Sequence, residues 1–319
     1  MATESGMASI ATLTVNPCVD QSAVVDHVVP DRKLRCREPR YEPGGGGINV
    51  ARAIRRLGGE ALAIYPAGGP AGGLLRSLLE REGVPQRPLP IDSWTRENLN
   101  IFEETTGRQF RFVLPGPTLA PRDWQACLDE VAALRPFPSY LVASGSLPPG
   151  VPDDFYARAA ALVRRMGGRF VLDTSGEAAK RALGEGVFLL KPSLRELQHL
   201  TGLTDAEESH LISEAGGLIA AGRCEVVVVS LGPAGALLVT AGASERLASP
   251  MVPVRSTVGA GDAMLGGIVL QLQQGHLLPD AVRFGVAAAA ATVMNPGTEL
   301  CRRADAERLY RQMAPGATG

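Results

Sequence analysis

Paired cysteines, clustered histidines, a dominant charge sign and a long apolar run are all missing from this sequence. The five cysteines (Cys18, Cys36, Cys127, Cys224, Cys301) are scattered, with no C-x-x-C pair and no zinc spacing, and the four histidines do not gather beside them. That argues against a disulfide scaffold or a zinc module, and for reduced thiols in a cytoplasmic protein. The 32 basic and 33 acidic residues leave a net charge of −1. Such a balance gives no field for a nucleic-acid or membrane surface. Any bound phosphate must be caught by a few placed cations and backbone N–H groups. The longest apolar run, "VRFGVAAAAATVM", is Ala-rich and falls short of the ~20 residues that a membrane helix needs. "MATESGMASI" lacks the basic-then-apolar order of a secretory signal.

The common nucleotide motifs are missing too. No G-x-x-x-x-G-K-[ST] occurs, which excludes a P-loop. No G-x-G-x-x-G stands between a strand and a helix with a later acid, and no H-R-D or D-F-G set occurs.

What remains has a clear order. From about residue 139, "YLVASG", "RFVLDTS", "VFLLKPS" and "CEVVVVSLG" read as short buried strands. Helical segments over roughly 153–166, 176–183, 193–201 and 206–221 follow them. Alternation of this kind implies a parallel sheet covered on both faces. Helices are expected over about 261–275, 278–294 and 304–313, with "APGATG" as a frayed tail. Earlier, "ATLTVNPCVD" begins as a strand and ends in a loop. "LRCREPRYE" and "NLNIFEETTGRQFRFVL" alternate apolar and polar residues, the second as a hairpin turning near Thr106 and Gly107. These segments read as a small lid sheet. "GGGGINVARAIRRLGG" reads as a glycine turn opening a helix.

"STVGAGDAML" carries the chemistry. Gly259 and Gly261 permit a tight turn, and the helix start after them offers unpaired N–H groups at the positive dipole end. Together with Ala260 they form an anion hole for a transferring phosphoryl group. Asp262 there is either an N-cap or the carboxylate that takes the proton of an attacking hydroxyl. Polar motifs at several other expected strand ends ("NPCVD", "SGSLPPG", "DTSGE", "KPSLRE", "SLGPAG") favour the second reading, because ligands gather at such ends.

"GGGGINVARAIRRLGG" and "STVGAGDAMLGG" resemble the two signatures of the ribokinase-like sugar kinases, in their phosphofructokinase-B branch. "AGGPAG", "WTRENLNI", "SGSLPPGV", "KPSLREL", "VVVSLGPAGAL" and "NPGTELC" extend the likeness over nearly the whole chain. The resemblance implies one ribokinase-like α/β domain over residues 1–319. Its mostly parallel central sheet is flanked by helices on both faces. Strands from approximately 12–43 and 94–116 supply the lid. It also implies an ATP-dependent sugar-phosphate kinase, with fructose 6-phosphate as acceptor and fructose 1,6-bisphosphate as product. Glycine at the third of Gly44–Gly47, where 1-phosphofructokinases and tagatose-6-phosphate kinases usually carry lysine, favours that acceptor over theirs. A catalytically weak binding relative is the alternative of another class, and a nucleoside kinase is disfavoured by the cations named next.

By the same resemblance Asp262 is the base and Gly259–Gly261 the anion hole. Asp20, Gly45, Gly46, Asn49 and Ser146 belong to the sugar pocket. Lys33, Arg35 and Arg96 hold the sugar's phosphate; taken alone, each reads equally as a solvated lid charge. Lys191, Ser193, Ser230, Gly232, Gly235 and Thr257 belong to the MgATP site. Glu196 organises Mg²⁺ through water, unless it is an ordinary first-turn glutamate. Ser256, Val258, Asn295 and Gly297 are K⁺ ligands through their carbonyls. Two departures stand out. Ser193 occupies the place of the family's usual Asn, which implies a looser water network around Mg²⁺. Glu299 stands where a close relative would be basic. Lids of two chains packing face to face imply a homodimer.

Overall fold

A computed structural model describes residues 10–313. The expectations for the leader and for the "APGATG" tail lie outside the described residues. In chain order the first half contains β1 (Ile10–Leu13), β2 (Cys18–Val25), β3 (Arg37–Gly44), α1 (Gly46–Arg56), β4 (Leu62–Ala67), α2 (Gly69–Arg81), β5 (Gln86–Pro90), β6 (Arg96–Glu103), β7 (Arg108–Phe112) and α3 (Pro121–Ala133). The second half contains β8 (Tyr140–Ser144), α4 (Phe155–Arg165), β9 (Arg169–Asp173), α5 (Gly176–Gly184), β10 (Val187–Leu190), α6 (Leu194–Thr201), α7 (Glu208–Ala220), β11 (Cys224–Ser230), β12 (Ala236–Thr240), β13 (Ser244–Leu247), α8 (Ala260–Gln273), α9 (Leu278–Val293) and α10 (Arg303–Gln312).

Nine strands form the central sheet in the order β13-β12-β11-β10-β9-β8-β1-β4-β5. Only β12 runs against its neighbours; the remaining pairs are parallel. β-Branched and aliphatic strands suit this sheet because both faces are covered. Val171 of β9 joins the core under α1, α8 and α9, while Phe170 and Leu172 on either side join the core under α3 to α7. This is the α/β, mostly parallel architecture that the sequence implies.

The long helices α8 and α9 are buried along most of their length. Glycine is what lets them approach: a Cβ on Gly285 would fall 2.5 Å from Ile268 Cγ1 and 2.7 Å from the carbonyl oxygen of Met264. This packing fixes the N-terminus of α8, and with it Asp262, against the sheet.

The lid is a separate four-stranded sheet in the order β3-β2-β6-β7. The hairpin pairs Leu99 with Phe112 and Ile101 with Phe110, the register its alternation implies. One boundary needs correcting. Residues 12 and 13 belong to β1, which pairs in parallel with β4 and β8 of the central sheet. "ATLTVNPCVD" therefore contributes a central strand and, after a short connection, opens the first lid strand at Cys18. The apolar run in "ATLT" goes to the covered sheet, and the alternation that suits a half-exposed strand begins only afterwards.

Candidate active site

The C-terminal ends of β1, β8, β9, β10 and β11 open on one cleft, beneath the lid and beside the N-terminus of α8. β1 and β8 are adjacent, and the chain leaves β1 toward β4 on one side and β8 toward β9 on the other. Ligands in open α/β sheets collect at such a reversal.

α8 begins after Gly259, which has φ 76°. That left-handed conformation suits glycine. The turn leaves the first N–H groups of α8 facing the cleft, and the first intrahelical bond described runs from Ala263 N to the carbonyl of Gly259 at 2.8 Å. Asp262 is half-buried in the first turn. Asn49 Nδ2 donates to its Oδ2 at 3.0 Å. Among the described hydrogen bonds the Asp262 side chain accepts from Asn49 and from no N–H of its own helix start. Desolvation there, with the nearby Asp173 and Asp20 carboxylates, pushes its pKa up to about 7, while Asn49 and Lys191 pull against that rise.

Lys191 follows β10 and is buried. Its Nζ lies 3.1 Å from Asp173 Oδ1 at the end of β9. Burial works against its charge, but the carboxylates of Asp173, Asp262 and Glu196 outweigh that and raise its pKa. Burial raises Asp173, and Lys191 holds part of that rise back. A Cβ on Gly261 would lie 3.4 Å from Lys191 Nζ, so the ammonium stands at the anion hole.

On the lid side, Asp20 of β2 is buried and its Oδ1 accepts from Asn98 Nδ2 at 2.9 Å. Gly44 is a required absence of side chain: a Cβ there would sit 2.5 Å from Asp20 Oδ2. Gly45 has φ 108°, and a Cβ on it would meet Thr14 Cγ2 at 2.8 Å. Gly46 opens α1 beside Ser144. Ser146 Oγ accepts from Asn16 Nδ2 at 3.1 Å.

A cavity of about 450 Å³ runs from the other side of the α8 terminus. Ser230, Gly232, Gly235, Thr257 and Gly261 line it, with Met264, Val286 and Val293 among its apolar walls. It joins glycine-rich backbone to an apolar slot, which fits a nucleotide's phosphates and base. Ser193 caps α6 in a reciprocal box: Ser193 N donates to Glu196 Oε2 at 2.7 Å, and Glu196 N donates to Ser193 Oγ at 3.3 Å. One oxygen of Glu196 is therefore spent on its own helix, and the other is left for a hydrated cation.

Of the three expected phosphate cations, Arg96 lies at the start of β6 beside Asn16. It donates to the carbonyls of Asn16 at 3.0 Å and Leu114 at 2.9 Å, and its Nε is buried without a partner among the described residues. Lys33 and Arg35 sit exposed between β2 and β3, and no hydrogen bond or ion pair joins them to the cleft among the described residues. For the expected K⁺ ligands, the loop at 255–258 packs on the end of α9: Arg255 N and Ser256 N donate to the carbonyl of Val293 at 2.7 and 3.3 Å. Ser256 Oγ donates to the carbonyl of Gly297 at 2.6 Å.

Sequence reasoning missed Asp173, Asn98 and Ser144, although each lies inside a strand-end or lid motif it had singled out. Their roles depend on which neighbours the fold supplies.

The family pattern described as pfkB family carbohydrate kinase matches residues 13–305. The chain belongs to the pfkB family of carbohydrate kinases. It is thus a phosphotransferase with an alcohol acceptor. It is 48% identical over 311 residues to ATP-dependent 6-phosphofructokinase isozyme 2 of Mycobacterium tuberculosis, covering 98% of this chain and 91% of that protein. Phosphofructokinase-2 of Escherichia coli superposes with TM-score 0.92 at 41% identity in its complex with potassium, and 0.91 at 40% identity with fructose-6-phosphate. Its tetrameric inhibited form gives 0.90 at 40% identity. Each covers 96% of this chain and 99% of that one.

The electrostatics give a pH signature. Activity through ionised Asp262 should rise with pH through about 7 on the acid limb of kcat/KM. Asp173→Asn removes a like charge beside it, so the limb should move to lower pH. A limb that stays in place or moves upward contradicts this electrostatic account.

Proposed function

We propose that this chain phosphorylates fructose 6-phosphate with MgATP, giving fructose 1,6-bisphosphate and ADP, as the 6-phosphofructokinases it resembles do by name. The observation that carries the reading is Asp262 Oδ2 held by Asn49 at 3.0 Å, beside an α8 N-terminus that Lys191 faces. A hydroxyl above Asp262 loses its proton to the carboxylate as its oxygen attacks in line. The N–H groups of Gly259, Ala260 and Gly261, with Lys191, meet the charge that develops on the phosphoryl oxygens. Asp20, fixed by Asn98, orients the sugar's hydroxyls, with Gly45, Gly46 and Ser146 lining the same pocket. Mg²⁺ bound with ATP neutralises phosphate charge, and Glu196 is its candidate water-mediated partner. A K⁺ site from the carbonyls of Ser256, Val258, Asn295 and Gly297 would brace the turn that carries Gly259.

Arg96 supplies the candidate grip on the sugar's own phosphate. Lys33 and Arg35 are exposed on the lid and complete that grip only if a second copy brings them over. The lid supports such a partner. Tyr41, Gln21, Leu99 and Phe112 lie in one cross-strand row. Tyr41, Leu99 and Phe112 are 47%, 39% and 52% exposed. A row with three exposed aromatic or aliphatic side chains on a thin sheet is poorly stable alone, and packing two such faces together makes a homodimer.

The first test is ADP release with MgATP and fructose 6-phosphate, tagatose 6-phosphate, fructose 1-phosphate or fructose. Fructose 6-phosphate should give the highest kcat/KM. A clear preference for another acceptor replaces the substrate, and no turnover on any of them favours the binding relative. For the assembly, sedimentation should show a dimer or larger, and Phe112→Asp should shift it to monomer. A wild-type monomer at micromolar concentration removes the lid interface.

A further inference from the structure

Arg52, in α1, heads the large side chains that are fully enclosed, with 0% exposure. A guanidinium without water is costly unless its donors are paired, and here four of the five N–H groups have hydrogen-bond acceptors, with a second carboxylate at ion-pair distance from Nη2. Nε and Nη2 make a fork on Glu82, at 2.9 Å to Oε2 and 2.7 Å to Oε1. Nη1 donates to the carbonyl of Pro43 at 2.8 Å and to Asn49 Oδ1 at 3.1 Å. Nη2 also lies 3.6 Å from Glu42 Oε1.

The bond to Asn49 has a consequence one residue further on. Arginine only donates, so the amide of Asn49 must turn its oxygen toward Arg52. Its NH₂ then faces Asp262 Oδ2 at 3.0 Å. A flipped amide would set N–H against N–H at one end and oxygen against carboxylate at the other. We infer that Arg52, clamped by Glu82 and Glu42, is a positioning residue for phosphoryl transfer: it fixes the polarity of the Asn49 amide, and Asn49 thereby holds the Asp262 carboxylate in its accepting geometry. This rests on the reading of Asp262 as the base.

The same clamp includes the lid. Pro43 and Glu42 belong to β3, and Glu42 Oε2 accepts from Thr298 N at 3.2 Å and from its hydroxyl. Arg52 thus ties Asn49 to the lid's root and to the end of α2 at once. An arginine that merely joined α1 to α2 would need Glu82 alone.

The test is steady-state kinetics with MgATP and fructose 6-phosphate on the full chain and on Asp262→Ala, Arg52→Met, Asn49→Ala, Glu82→Ala and the Arg52→Met/Asn49→Ala double variant. Arg52→Met should lower kcat about tenfold or more, the scale of a misplaced reacting group, with KM for MgATP within about twofold of wild type. Adding Asn49→Ala should cost less than about twofold again, because both act through one contact. Arg52→Met at wild-type kcat, or losses that multiply in the double variant, would overturn the role of Arg52 while leaving Asp262 as base. If Arg52→Met does not fold by circular dichroism, Glu82→Ala, alone and with Asn49→Ala, decides by the same two criteria. Full activity of Asp262→Ala would instead strike the base itself, and the role of Arg52 with it.

Discussion

A half-buried carboxylate, partly desolvated by its surroundings, is the constraint around which this molecule is arranged. Asp262 must ionise to accept a proton, yet desolvation and the like charges of Asp173 and Asp20 oppose its ionisation. Two groups work the other way. Lys191 lies near enough to offset part of that cost, and Asn49 donates directly at 3.0 Å. The resulting pKa of about 7 suits a base working near neutrality, since it can both take a proton and give it up. A water-filled cleft would relax the strain, but it would also let water compete for the phosphoryl group.

The fold supplies these groups from distant parts of the chain. Asp173 and Lys191 come from the ends of neighbouring parallel strands, β9 and β10, so their ion pair follows from the sheet's order. Asn49 comes from α1, and Asp262 from α8, whose approach to α9 depends on Gly285. Asp20 arrives on the lid and is steadied by Asn98 of the adjoining strand. The chemistry is thus spread over two sheets and two helix starts.

Much of this was legible in the sequence, for identifiable reasons. The helix over 278–294 and the four strands expected from residue 139 onward are long or strongly patterned, and the structure places them within a few residues, whereas β12 and β13 are additions of the structure. Gly259, Gly261 and Asp262 were readable because a glycine turn before a helix leaves unpaired N–H groups wherever it occurs. Asp173 and Arg52 were not. Asp173 gains its meaning only when Lys191 stands on the next strand, a pairing that sequence separation hides. Arg52 reads as one more basic residue in "ARAIRR", and nothing local says that it will be wholly enclosed. The start of the lid was misjudged because "ATLTVNPCVD" serves two sheets in succession. Ser193 reads in the sequence as a departure near Mg²⁺. The structure gives it a second task, capping α6 together with Glu196.

The claim most open to direct attack is that Asp262 acts on the proton and does not merely shape the pocket. Asp262→Asn keeps the size and the polar surface of the side chain but cannot accept the proton. Turnover of fructose 6-phosphate by this variant, measured beside calorimetric binding of the same sugar, separates the two roles. The account predicts a loss of about a hundredfold or more in kcat, in the range for a positioned general base, with binding within a few-fold of wild type. Turnover near the wild-type rate, or a loss explained wholly by weaker binding, would contradict it.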